Sequence, residues 1–217
     1  MNKITVEEFW NWFQDKSEFL MDIDNMDPIK AEDLLNEFEK VLASYSEGIS
    51  FEISDLDSDG RKITFSAEGD EEYFDDVIEL CTNTPILDFW DIIAFKQPQG
   101  SKVKIKFEDY TLNSKDLWFI PMENEDEDDG SDEKVGLEIA IKGCKEEDED
   151  QLIAVYSLIE AMIGEYDCTT LLGYFELCEM PEDPEGEGFI PLTELPEYIE
   201  WYINNVEGKQ DEKERRN

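Results

Sequence analysis

The sequence predicts an α+β protein in which an N-terminal helical hairpin is followed by two ββαβ pseudo-repeats. Three observations lead to this class. Apolar residues recur at helical spacing in two segments before residue 46, the period changes to two from Gly48 onwards, and one order of strand, acidic turn, strand, helix and strand then occurs twice. We expect both pseudo-repeats to contribute to one mixed, largely antiparallel sheet with helices on one face.

The helical hairpin is predicted from two start signals. Thr5 and Glu8 have the spacing of a capping box, in which each side chain accepts a hydrogen bond from the other residue's backbone amide. Asp27 precedes Pro28, and proline suits the first turn of a helix. Apolar side chains follow each signal near helical spacing: Phe9, Trp10, Phe13, Phe19 and Leu20 in the first segment, and Leu34, Leu35, Phe38, Val41 and Leu42 in the second.

The first pseudo-repeat covers roughly residues 48–98. Ile49, Phe51 and Ile53 alternate with polar residues before an acidic turn, and the alternation resumes at Ile63, which predicts a hairpin. A helix is expected to begin at Asp70. The segment DFWDIIAFKQP then predicts a buried strand that is closed by proline.

The second pseudo-repeat covers roughly residues 115–181 and follows the same order. LWFIPM and VGLEIAI are expected strands on either side of the acidic turn ENEDEDDGSDEK, and a helix over DEDQLIAVYSLIEAMIGEY leads into the strand TTLLGYFELCEMP. We expect residues 1–206 to form a single α+β domain that ends in a short amphipathic helix. Residues 207–217 contain no apolar anchor and are expected to be a flexible tail.

The charge of the chain narrows the classes of partner. It contains 58 acidic and 18 basic residues, a net charge of −40. Only eight of the acids lie in the segment 122–133, so the acid excess is spread along the chain. Such a surface repels nucleic acid and anionic membranes, and we expect neither as a partner. It attracts basic proteins and cations, while solubility in a crowded cytosol is the alternative explanation.

The sequence also predicts a compartment. The N-terminus MNKITVEEFWNWF lacks the basic and apolar regions of a signal peptide, and no run of about eighteen apolar residues occurs. We therefore expect a cytoplasmic protein. The cysteines show no C-x-x-C spacing and lie in apolar segments, which favours reduced, buried thiols over a zinc site or a disulfide framework: Cys81, Cys144, Cys168 and Cys178.

Catalysis is difficult to build from this composition. The chain has no histidine, which removes the commonest general base at neutral pH and the histidine-containing zinc sites. No P-loop or G-x-G-x-x-G motif is present. A carboxylate enzyme with no recognisable motif remains an alternative, although no spacing singles out one pair among so many acids. We expect no enzyme activity and no cofactor.

One stretch resembles a metal site. In FEISDLDSDGRKITF, Asp55, Asp57, Asp59 and Gly60 match positions one, three, five and six of an EF-hand loop. Position twelve, which needs a bidentate glutamate, is Ser66, and both flanks predict strands instead of helices. Calcium binding through these three aspartates is therefore the second hypothesis, and a solvated hairpin turn favoured by Asp-Gly is the simpler explanation.

Three other groups are candidate partner contacts. In the run of Phe9, Trp10, Trp12 and Phe13, we expect Trp12 to be the most exposed, since it faces away from Phe9 and Phe13. Lys102, Lys104 and Lys106 alternate with apolar residues, which predicts either an edge strand protected by lysines, a contact to an anion or partner, or charge pairing with an acidic strand. The third group lies in the second acidic turn: Asp126, Asp128 and Asp129.

Three segments carry a family resemblance: AFKQP at 94–98, DLWFIP at 116–121 and IPLTELPEYI at 190–199. They resemble those of an uncharacterised family of acidic bacterial cytosolic proteins, and this resemblance implies no established activity. Acidic α+β proteins of similar size include immunity proteins that neutralise secreted toxins. The leading hypothesis rests on the missing catalytic residues and the distributed negative charge: a non-catalytic, immunity-like or adaptor-like module that binds a basic protein.

Overall fold

The computed structural model describes residues 3–122, 134–145 and 148–214. It is a mixed α+β structure with several small sheets, which confirms the predicted class at that level. Contacts divide the chain into two compact units, Met1–Lys96 and Gln97–Asn217, and each unit has its own hydrophobic core. The single domain over residues 1–206 stays a prediction.

The first unit begins with the two helices whose start signals the sequence contains. Helix α1 (Val6–Met21) starts at Thr5, whose hydroxyl accepts the Glu8 amide at 3.2 Å while the Glu8 carboxylate accepts the Thr5 amide at 2.8 Å. Helix α2 (Pro28–Tyr45) starts at Asp27, whose carboxylate accepts the Ile29 amide at 3.1 Å. Both predicted helix starts are confirmed.

Three strands and one helix complete the first unit: β1 (Ser50–Ile53), β2 (Arg61–Ser66), α3 (Phe74–Thr82) and β3 (Trp90–Ala94). β1 pairs antiparallel with β2, and β2 pairs parallel with β3 across the helical crossover. The strand order is β1-β2-β3, so β1 is an edge strand.

Aromatic side chains fill the core of the first unit. Phe9 and Phe13 of α1, Phe38 of α2 and Phe65 of β2 are completely buried. Trp10 is also buried, and its indole N–H donates to the Leu80 carbonyl at 2.9 Å. The aromatic face of α1 is therefore largely core.

In its described residues the second unit contains two sheets and three α-helices. β4 (Lys104–Phe107) and β5 (Tyr110–Asn113) form a two-stranded hairpin, and the other strands form a four-stranded sheet in the order β8-β7-β6-β9. β6 pairs antiparallel with β7, which pairs parallel with β8. The remaining bounds are β6 (Trp118–Met122), β7 (Val135–Ile141), α4 (Glu149–Ile163), α5 (Glu165–Leu171), β8 (Leu172–Glu179), β9 (Ile190–Pro191) and α6 (Leu195–Glu214).

Three features differ from the prediction or extend it. The single sheet is wrong, because the described strands form three sheets. The long helix predicted after Asp148 is interrupted at Gly164, which has a φ of 87° and separates α4 from α5. Helix α6 continues to Glu214, through most of the segment 207–217; residues 215–217 lie outside the described residues, and a flexible tail stays a prediction.

Candidate functional site

The first unit contains a groove between helix α2 and the edge strand β1. Its volume is 710 Å³. One wall is a face of α2 formed by residues spaced about four positions apart, and the other wall is β1 with the residues flanking it. The lining consists of Ile23, Asp24, Ala31, Leu35, Glu39, Leu42, Ile49, Ser50, Phe51, Ile53, Ser54, Asp55 and Arg61.

Local sequence pattern explains both walls of the groove. Ala31, Leu35 and Glu39 are separated by four residues and therefore lie on one side of α2. On β1 the side chains of Phe51 and Ile53 point to the helix layer, since they pack against the core of the first unit. The Phe51 ring stacks on Phe38 of α2 with centroids 3.9 Å apart, which holds β1 against the helix at the inner side of the groove.

At its outer edge, the backbone of β1 presents hydrogen-bonding groups that have no partner among the described residues. The Ser54 amide donates to the Lys62 carbonyl at 2.9 Å, which continues the register of β1 and β2. Since backbone groups alternate in direction along an antiparallel strand, Ser50, Glu52 and Ser54 direct theirs towards β2. Phe51 and Ile53 therefore direct their N–H and C=O groups away from β2. Within the described residues, no strand pairs with that side of β1.

Arg61 lies at one end of the groove and is almost completely buried. Its Nε donates to the Met21 carbonyl at 2.9 Å, its Nη1 donates to the Ser54 carbonyl at 2.6 Å, and its Nη2 pairs with the Asp24 carboxylate. These bonds tie the end of α1 to the end of β1. Because the guanidinium has a carboxylate and two carbonyls as partners, its charge is compensated locally.

Two further carboxylates line the groove without such compensation. Glu39 stands on the α2 wall and Asp55 follows β1. Both residues are exposed, and neither forms an ion pair within the described part of the chain. The groove therefore combines apolar lining residues, the outer edge of β1, and the carboxylates of Glu39 and Asp55, which have no ion-pair partner among the described residues.

The predicted calcium turn is a hydrogen-bonded hairpin turn. The Asp57 carboxylate accepts the amides of Asp59 and Gly60 at 2.8 and 3.2 Å. Gly60 has a φ of 121°, and a Cβ there would lie 2.0 Å from the Phe89 carbonyl oxygen, so the turn requires glycine. No group of three acidic or cysteine side chains suited to a metal ion occurs among the described residues. Calcium binding through Asp55, Asp57 and Asp59 stays a prediction.

The predicted aromatic contact, Trp12, is half-buried on α1. Its indole N–H donates to the Glu37 carboxylate on α2 at 2.9 Å, and its ring lies 5.2 Å from the Phe38 ring. The bond from Trp12 is the first cause of a lowered Glu37 pKa, and Lys16 adds a second hydrogen bond. Trp12 thus links the two helices, and a role in partner binding stays a prediction.

The predicted lysine-bearing strand lies in the second unit, where Lys104 and Lys106 belong to β4 and Lys102 precedes it. Lys102, Lys104 and Lys106 are exposed, while Val103 is buried and the apolar residues between the lysines pack on the core of that unit, which confirms the predicted alternation. The strand residues opposite Lys104 and Lys106 are Asn113 and Thr111, which carry no charge. The three acids of the second acidic turn, Asp126, Asp128 and Asp129, lie outside the described residues.

Thiol chemistry is unfavourable at three of the four cysteines. Burial raises the pKa of Cys81, Cys168 and Cys178 to about 12, so the thiolate form is scarce at neutral pH. Cys168 is buried as expected, whereas Cys81, Cys144 and Cys178 are half-buried, so the expectation of four buried thiols is wrong for these three.

Sequence reasoning missed the groove and the role of Arg61, although it placed Asp55 at the centre of a candidate site. One signal was available. Arg61 begins a strand whose inward residues are apolar, and an arginine at an inward position needs buried partners. Its partners Met21 and Asp24 are about forty residues away in sequence, so their identity was not readable from the local pattern.

A scan against protein-family models, a search of curated proteins and a search of solved structures each found no match. In the part of the chain that the structure describes, no helix combines the length and apolar character needed to cross a membrane.

Proposed function

We propose that the protein is a non-catalytic, acidic protein-binding module that acts in the cytoplasm as an immunity-like inhibitor of a basic protein. The acid excess carries this proposal, since it is present in both units. Residues 1–96 contain 25 acidic and 7 basic residues, and residues 97–217 contain 33 and 11. A field of one sign over both units raises the rate at which a basic protein is captured.

The groove of the first unit supports binding over catalysis. Its floor is apolar, its edge offers backbone donors and acceptors, and Glu39 and Asp55 supply charge without a local counter-ion. These are features of peptide recognition, in which main-chain bonds give affinity and side-chain pockets give specificity. The sequence contains no histidine that could act as a general base. Burial raises the pKa of Cys81, Cys168 and Cys178, so these thiols stay protonated at neutral pH and are poor nucleophiles.

We further propose that the two units contain equivalent ββαβ modules. Two observations support the equivalence. In the first unit an antiparallel pair, β1 and β2, is followed by α3 and the parallel strand β3. In the second unit the antiparallel pair of β6 and β7 is followed by α4, α5 and the parallel strand β8.

The binding proposal is tested by affinity capture on the immobilised full chain. Lysate of the source organism is applied, the resin is washed at low and then moderate salt, and the retained proteins are identified by mass spectrometry. We expect one basic protein that binds the purified chain with 1:1 stoichiometry in calorimetry, binds more weakly at moderate salt, and loses its own activity in the complex.

A polyglutamate resin is the matched control for charge alone. The proposed partner is retained by the protein at a salt concentration that releases it from polyglutamate. If both resins retain the same set of basic proteins with the same salt dependence, the acidic surface has no partner of its own and the proposal is wrong.

A further inference from the structure

We propose that the groove between α2 and β1 binds an extended, basic segment of the partner as an additional strand on the free edge of β1. This inference rests on the proposed function and names its site. The occupant is a stretch of polypeptide whose helix-facing side chains include both apolar residues and lysine or arginine.

The dimensions of the groove fit such a segment. The α2 wall runs from Ala31 to Leu42, which corresponds to about 16 Å at the rise of an α-helix. The opposite wall runs from Ile49 to Ser54, about 17 Å at the rise of a strand. Both walls therefore accommodate about five residues of extended chain. A helix is a poorer fit, because its outer diameter of about 10 Å would not bring its backbone to the edge of β1.

The strand edge supplies the main-chain part of the recognition. Phe51 and Ile53 direct their N–H and C=O groups to the open side, in the spacing that an added strand pairs with. Alternate side chains of an added strand would point to the helix layer, beneath α2, where Ala31 and Leu35 are only half-buried. Apolar side chains at alternate positions therefore cover surface that the first unit leaves accessible.

Charge decides between the possible occupants. Glu39 and Asp55 have no ion-pair partner within the described residues, whereas Arg61 is already compensated by Asp24. Lysine or arginine at those helix-facing positions of the segment that lie nearest Glu39 and Asp55 pairs with these two carboxylates. A second copy of this chain is disfavoured, because each copy brings a net charge of −40 to the contact.

The test uses a fluorescein-labelled peptide of about seven residues in which the alternate positions that face α2 carry both lysine and valine or isoleucine. Its dissociation constant is measured by fluorescence anisotropy on the full chain and on two charge-reversal variants. Glu39→Lys changes a residue that lines the groove. The control, Asp33→Lys, changes an exposed residue of the same helix and alters the net charge by the same amount. We expect Glu39→Lys to weaken binding by about tenfold or more and Asp33→Lys by about twofold.

Amide hydrogen exchange measures the backbone contact independently of charge. In the free chain the outward amides of Phe51 and Ile53 should exchange faster than those of Glu52 and Ser54, which face β2. Bound peptide should slow Phe51 and Ile53 selectively. A peptide N-methylated at alternate residues loses the donors needed for strand pairing and should bind about tenfold more weakly.

Four outcomes would overturn the inference. Equal weakening by both variants shows that the peptide binds the acidic surface at large, and the proposed function then stands without this groove. Unchanged exchange at Phe51 and Ile53 excludes strand addition, and equal binding of a serine-for-lysine peptide excludes selection for basic segments. A partner from affinity capture that binds Glu39→Lys as tightly as the unaltered chain places the contact elsewhere. If affinity capture retains no partner, that result contradicts the proposed function and does not test the groove.

Discussion

Arg61 shows at the scale of one residue how this acidic chain uses a buried positive charge. Its side chain is 2% exposed, while that of its partner Asp24 is 58% exposed. Because the guanidinium is the desolvated member of the pair, removing the carboxylate leaves a buried cation with fewer partners. We expect Asp24→Ala to lower the free energy of unfolding by about 1–3 kcal/mol.

The control for this prediction is Asp15→Ala, on an exposed position of α1 with the same change of charge. It should change the free energy of unfolding by less than about 0.5 kcal/mol in urea denaturation. Equal losses in the two variants would mean that Asp24 contributes only surface charge.

The carboxylate of Asp148 should make the stability of the fold depend on pH. The hydrogen bond from Tyr110 and then that from Lys145 lower the pKa of Asp148 from 3.8 to about 2, so the ionised carboxylate stabilises the fold above pH 4. This stabilisation is lost as pH falls from about 4 towards 2. Asp148→Asn retains the helix-cap acceptor for the Gln151 amide, and we expect it to lower the melting temperature at pH 7.

The difference in melting temperature between the unaltered chain and Asp148→Asn should then shrink as the pH is lowered through this window. Thermal melts at half-unit pH steps measure it, and Asp150→Asn, on the exposed first turn of the same helix, is the control. A difference that does not depend on pH would contradict the role of the ionised carboxylate.

At the scale of elements, the acidic turn between β1 and β2 is stabilised by its own backbone. The Asp57 carboxylate already accepts two amides, and Gly60 is required by its positive φ and by the nearby Phe89 carbonyl. We therefore expect calcium at about 1 mM to raise the melting temperature no more than magnesium does at the same concentration. A calcium-specific rise of several degrees that disappears in Asp55→Asn would instead support the calcium hypothesis.

At the scale of the whole molecule, self-repulsion of the acidic surface should limit stability. Increasing sodium chloride from about 0.1 M to about 1 M shortens the Debye length from about 10 Å to about 3 Å and screens repulsion between exposed acids. We expect the melting temperature to rise, by about 2–4 °C for each kcal/mol of repulsion that is removed. Scanning calorimetry measures the rise, and choline chloride in place of sodium chloride controls for specific sodium binding. A fall in melting temperature would show that attractive ion pairs outweigh the repulsion.

Helix starts and strand alternation were predictable because they depend on residues close in sequence. The capping box at Thr5 and Glu8 and the proline after Asp27 act within one helical turn, and both appear where expected. The alternation of β4 likewise follows from neighbouring residues. The break at Gly164 was missed because the apolar pattern continues across it, although a glycine in that position allows a positive φ.

The acid excess and the absence of histidine are properties of composition, and the α+β class and the start of each N-terminal helix follow from short-range sequence pattern. Three further features became visible only in the folded chain: the division of the described strands into three sheets, the burial of Arg61 and the groove beside β1. Each of these depends on contacts between residues far apart in the chain, and strand pairing and edge exposure follow from which segments meet rather than from the pattern of any one segment.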